Sequence, residues 1–114
     1  MSSTELYSAI KAADRRIDNV LKDYTKCKNN AILADVKVSE SFDNEINDLI
    51  AQVKYEYDYL NYIFYTLDSG LDTSIISQYD TAEGKLAIIN SKLEFIEAYC
   101  EFIRFCVNSH RISG

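Results

Sequence analysis

Proline and tryptophan are both absent from this 114-residue chain, and glycine occurs three times, at Gly70, Gly84 and Gly114. The two strongest breakers of regular structure are therefore almost missing, which permits long helices. Histidine occurs once, so no histidine pair exists to hold a metal, and His110 lies in the polar stretch NSHRISG, where an exposed, frayed end is expected rather than a general base. The three cysteines, Cys27, Cys100 and Cys106, fit neither a disulfide framework nor a paired zinc motif. Reduced thiols are expected, with Cys27 and Cys100 acting as small apolar core residues. No glycine-rich loop follows a strand, which removes the phosphate-cradling motifs. No metal or cofactor is expected. No apolar run reaches the roughly eighteen residues of a membrane span. Charges also interrupt residues 1–21, where a signal peptide would have an apolar centre, so a cytoplasmic chain that does not enter a membrane is expected.

What is present is a globular composition, 47% hydrophobic and 26% charged, at the length of one domain, and the expectation is a single domain over 1–114. From Leu6 the apolar residues Ile10, Ala13, Ile17, Val20, Tyr24 and Cys27 follow at alternating steps of four and three, a heptad seam that predicts a helix over about 4–27. Ser3 or Thr4 can cap its start. The segment AILADVKV then loses the seam and reads as a connector over 29–38, anchored by Ile32, Leu33, Val36 and Val38. Ser39 with Glu40 and Asp43 marks a second start. Phe42, Ile46, Leu49, Val53, Tyr57, Leu60, Phe64 and Leu67 carry a helix over 39–68, which Gly70 can close. Asp72, Thr73 or Ser74 can cap a third helix, over 73–109, with the seam Tyr79, Ala82, Leu86, Ile89, Leu93, Ile96, Cys100, Ile103 and Val107. Gly84 interrupts it and suggests a close approach of neighbouring chain. The fold expected is all-α, an antiparallel up-down-up three-helix bundle with coiled-coil-like seams. The layout has a general resemblance to spectrin-type repeats, without their tryptophans. Through helix lengths and the connector KCKNNAILAD it also resembles the N-terminal three-helix domains of syntaxin-like trafficking proteins. That resemblance implies a helical bundle and assigns no function.

Two apolar surfaces are left over once the seams are filled. In KYEYDYLNYIFY, residues 54–65, Tyr57 and Phe64 share the direction of Leu60, whereas Tyr55, Tyr59 and Tyr62 lie roughly 100° to 160° away from it. On the third helix Ile88, Phe95, Tyr99, Phe102 and Cys106 form a second stripe along the side away from the seam, larger than a soluble monomer usually exposes. The connector, a second copy of the chain or a different protein could cover it, and a homodimer is the first expectation because symmetric pairing is the commonest way to bury such a stripe.

Charge is uneven: residues 1–37 hold seven basic and five acidic groups, 38–70 one and seven, and 71–114 four and six, for a net −6. Lys11, Arg15, Lys22 and Lys26 share one outward strip of the first helix. A net negative chain is a poor ligand for nucleic acid or an anionic membrane. Acidic pairs such as Glu40 with Asp43, and Glu94 with Glu97 and Glu101, read as solvated faces rather than acid–base pairs. The expectation is therefore a non-enzymatic protein-interaction module, a subunit, adaptor or small inhibitor, that binds through Ile88, Phe95, Tyr99, Phe102, Cys106, Tyr55, Tyr59 and Tyr62. The alternative is a structural bundle domain of a larger assembly or homodimer with no separate ligand.

Overall fold

The computed structural model describes residues 3–69 and 75–113, with side chains at 4–65 and 81–110. Those residues form three helices packed against one another, with no strand among them: α1 Ser3–Leu33, α2 Glu40–Ser69 and α3 Ile75–Ser113. The molecule is 62 Å long and 23 by 16 Å across. α3 packs extensively on both neighbours, which touch each other much less.

The seams account for the core. Every α1 seam residue from Leu6 to Cys27 is buried, as is every described α3 seam residue from Ala82 to Val107. On α2, Ile46, Val53 and Leu60 are fully enclosed, while Leu49, Tyr57 and Phe64 are partly buried against the same core. No charged residue lies in this core among the described residues. Phe42, expected inside, is half exposed because it sits in the first turn of α2 and covers only one ring face. Ile63, outside the expected seam, is buried instead. Leu67, Gly70, Asp72, Thr73, Ser74 and Tyr79, to which seam or capping roles were given, lie outside the described residues or side chains.

The helix boundaries differ most at the end of α1, which continues through Asn29 and Asn30 to Leu33. Ala31 is the reason: it stands four residues beyond Cys27, extends the seam by one step and is fully buried. The helix then closes on Asp35, whose φ of 57° places it in the left-handed region. The Asp35 amide donates to the Ile32 carbonyl at 3.1 Å, and the Val36 amide donates to Ala31 at 2.8 Å. This is a Schellman closure with aspartate where glycine is usual. The connector is thus residues 34–39, and Ile32 and Leu33, expected as anchors within it, are helical and 70% and 83% exposed. Val36 and Val38 do pack on the core. α2 begins as expected, with the Ser39 carbonyl accepting the Asp43 amide at 2.9 Å and two carboxylates in the first turn facing the positive end of the helix dipole.

α3 runs to Ser113, so His110 is on an exposed helical turn rather than in a frayed tail. Gly84 faces open space, and a Cβ built there meets nothing within 4 Å. No close approach of chain requires glycine at that position.

Two substitutions should therefore stabilise the protein. Asp35→Gly removes the steric cost of the left-handed conformation, and Gly84→Ala lowers the entropy of the unfolded chain at an exposed helical position. Each is expected to add roughly 0.5–1 kcal/mol in urea denaturation. A loss of stability at Gly84→Ala would mean that something approaches that backbone.

Candidate partner-binding surface

The second stripe of α3 divides into a buried part and an exposed part. Tyr99 is 9% exposed and closes the core between α1 and α2, its ring 6.4 Å from Tyr24 and stacked on Phe42 at 5.6 Å. Cys106 is intermediate in burial. Ile88, Phe95 and Phe102 remain 40%, 50% and 58% exposed. They stand seven residues apart, so they align along one side of the helix, with the Phe102 ring stacked beside Tyr99 at 6.4 Å. The exposed ends of Ile32 and Leu33 do not cover them, and Phe42, not expected at the surface, adds a half-exposed ring to the same cluster.

The cluster rests on a polar bracket at the α1–α2 boundary. The Tyr24 hydroxyl donates to Asp43 Oδ1, and the Lys28 ammonium lies 2.7 Å from the same oxygen. Lys28 also stands over the Tyr24 ring at 5.4 Å. The hydrogen bond from Lys28, reinforced by that from Tyr24, holds the Asp43 carboxyl below its ordinary value of 3.8, against the opposing effect of burial. Burial and the Asp43 hydrogen bond push the Tyr24 hydroxyl upward, so it stays protonated as a donor.

The tyrosines of α2 have different surroundings from one another. Tyr59 covers the Lys85 ammonium, 4.8 Å from its ring centroid, and Lys85 pairs with Glu56 at 2.6 Å. Glu56 Oε2 has lost contact with solvent, and the Lys85 charge compensates it. The Glu56 carboxylate is also the main cause of the raised Lys85 pKa. Tyr59 thus shelters an ion pair and has a structural task, while its ring stands 6.4 Å from Tyr62. Tyr55 and Tyr62 are well exposed, and so are Tyr65 and Phe105, which were not among the expected surface residues. Phe105 lies on the crest of α3 farthest from the seam, a position that the helical wheel alone could have flagged.

Asp23, Cys27 and Cys100 bring a carboxylate oxygen and two sulfurs within 4.8 Å of one another, a donor set suited to a soft divalent cation. A tetrahedral site needs a fourth corner, and the residue one turn beyond Cys100 is Arg104, whose guanidinium binds the Asp23 carboxylate. A cation already sits where the metal's charge would be needed. Burial pushes the Cys100 thiol up to about 12, which opposes the thiolate. We read the two thiols as core packing. The cleft between α1 and α3 is similarly filled by charge, with Arg16 donating to Glu97 Oε1 at 3.1 Å and to Asn90 at 2.9 Å.

Comparison of the chain with protein-family models, with curated proteins and with solved structures found no match. No described helix is long and apolar enough to cross a membrane.

The Asp43 bracket has a pH signature. Because the native carboxyl titrates below its unfolded value of 3.8, its contribution is present above that value and is lost as pH falls through the lowered native value. Asp43→Asn should cost about 1–2 kcal/mol at pH 7, and its deficit relative to the native chain should shrink in urea denaturation at pH 3. An equal deficit at both pH values would assign the loss to packing.

Proposed function

We propose that the chain is a non-enzymatic protein-interaction module, a subunit, adaptor or small inhibitor, that presents the exposed side of α3 and the neighbouring tyrosines to a protein partner. Its framework is an antiparallel up-down-up bundle with coiled-coil-like seams. The side-chain pairs support that topology. Arg16 with Glu97 and Asp23 with Arg104 keep the same order along α1 and α3. Glu56 with Lys85 and Gln52 with Lys92 run in opposite order along α2 and α3, as do Tyr7 with Phe64 and Lys28 with Asp43 along α1 and α2.

The observation that carries the reading is that Ile88, Phe95 and Phe102 stay exposed in line although the core beneath them is already complete. Three large apolar side chains aligned at two-turn intervals over about 21 Å of helix form one row on a single side, not randomly scattered surface residues. A second reading, a structural domain whose stripe packs against its own twin, draws on the same strip and differs in the identity of the occupant.

Phe95→Glu combined with Phe102→Glu should abolish association in size exclusion coupled to light scattering, or in titration with an isolated partner. The circular dichroism of the helices should stay unchanged, because both side chains are half solvated already. Unfolding of the double variant would make the strip part of the core and remove the basis of the proposal.

A further inference from the structure

The exposed strip has a charged border that selects among its possible occupants. The contacts Phe42 with Tyr99 and Gln52 with Lys92 bracket Glu45 and Asp48 of α2, which places them alongside Phe95 and Phe102. On α3, Glu94 and Glu101 each stand one residue before a strip phenylalanine. All four carboxylates are exposed, and none forms an ion pair among the described residues. No basic residue occurs between positions 42 and 52 or between 93 and 103. Lys92, at the edge of this zone, is engaged with Gln52.

Resting on the interaction reading above, we infer that this face docks a basic amphipathic helix. Ile88, Phe95 and Phe102 recur at seven-residue intervals, the spacing that a second helix lying nearly parallel can match with its own three-and-four apolar seam. About four turns of partner helix cover the 21 Å strip. Lysines or arginines flanking that seam then meet Glu45 and Asp48 on the α2 border and Glu94 on the α1 border, where Glu101 shares a cleft with Arg15, Arg16 and Arg104. A second copy of this chain, laid on the same face across a two-fold axis, would instead bring the four carboxylates against their own images. Like charges so placed disfavour the pair.

The probes are two fluorescein-labelled 18-residue synthetic helices with the same leucine seam, one flanked by lysine and the other by glutamate. Fluorescence polarisation at about 0.15 M salt, where charges beyond about 8 Å are largely screened, should give saturable one-to-one binding of the lysine helix and none of the glutamate helix. Phe95→Ser with Phe102→Ser should weaken binding at least about tenfold, as expected for the loss of two apolar anchors. Glu45→Lys with Asp48→Lys, at exposed positions that leave the fold intact, should remove the preference for the lysine helix, because the border then carries two carboxylates and two ammoniums.

An affinity for the lysine helix that is indifferent to both variant pairs overturns the inference, because it reports attraction to net charge alone. A dimer in light scattering that the Phe95→Ser, Phe102→Ser pair dissolves also overturns it, with a second copy as the occupant, and leaves the interaction reading standing. A monomer that binds neither helix overturns the inference as well, and leaves the interaction reading to the association test of Phe95→Glu with Phe102→Glu.

Discussion

Everything in this molecule depends on α3 serving two neighbours at once. α1 and α2 have little direct contact, and each is held mainly by its packing against the third helix. One cylinder must therefore offer an apolar seam to both sides and still carry polar side chains at each margin. Arg16 grips Glu97 and Asn90 on the α1 side, and Gln52 and Glu56 hold Lys92 and Lys85 on the α2 side. The apolar arc of such a helix is wider than the roughly 100° of an ordinary surface helix. Part of the apparent excess of apolar residues on α3 is simply the second of its two interfaces, and Tyr99 belongs to that part.

The sequence disclosed the seams because alternating three- and four-residue spacing survives without any knowledge of the partner helix. Leu6 to Cys27 and Ala82 to Val107 are buried as that spacing requires. It disclosed less where local chemistry and packing disagreed. Asn29 and Asn30 are poor helix formers and suggested a stop, yet Ala31 continues to bury itself, so tertiary packing outweighed propensity. The spacing of Phe42 points inward, but the first turn of a helix has less structure around it to complete the enclosure. The spacing of Tyr99 sets it with the exposed strip, because the period of one helix carries no sign that Tyr24 and Phe42 arrive from two others. Meetings such as Asp23 with Arg104, or Cys27 with Cys100, depend on long-range packing that no local period encodes.

The aromatic run 54–65 was the plainest oddity of the sequence, and it resolves into separate roles. Tyr57 and Phe64 lean on the core, Tyr59 caps a cation, and Tyr55, Tyr62 and Tyr65 meet solvent. Tyrosine suits the last position because its ring can cover a neighbour while its hydroxyl stays hydrated. The phenylalanines of α3 have no such polar end. Their half-exposure is the more informative departure from an ordinary surface.

The Lys85–Glu56 pair beneath Tyr59 has a consequence for how α2 and α3 find each other. Apolar faces by themselves tolerate sliding, because burial is not directional. The ion pair does not tolerate it. Displaced by two helical turns, about 10 Å, Glu56 would lose the ammonium that compensates its enclosed Oε2 atom. A single partly enclosed charge pair thus acts as a register mark: it adds little to the attraction between the helices and selects one alignment from several that the seams alone would accept.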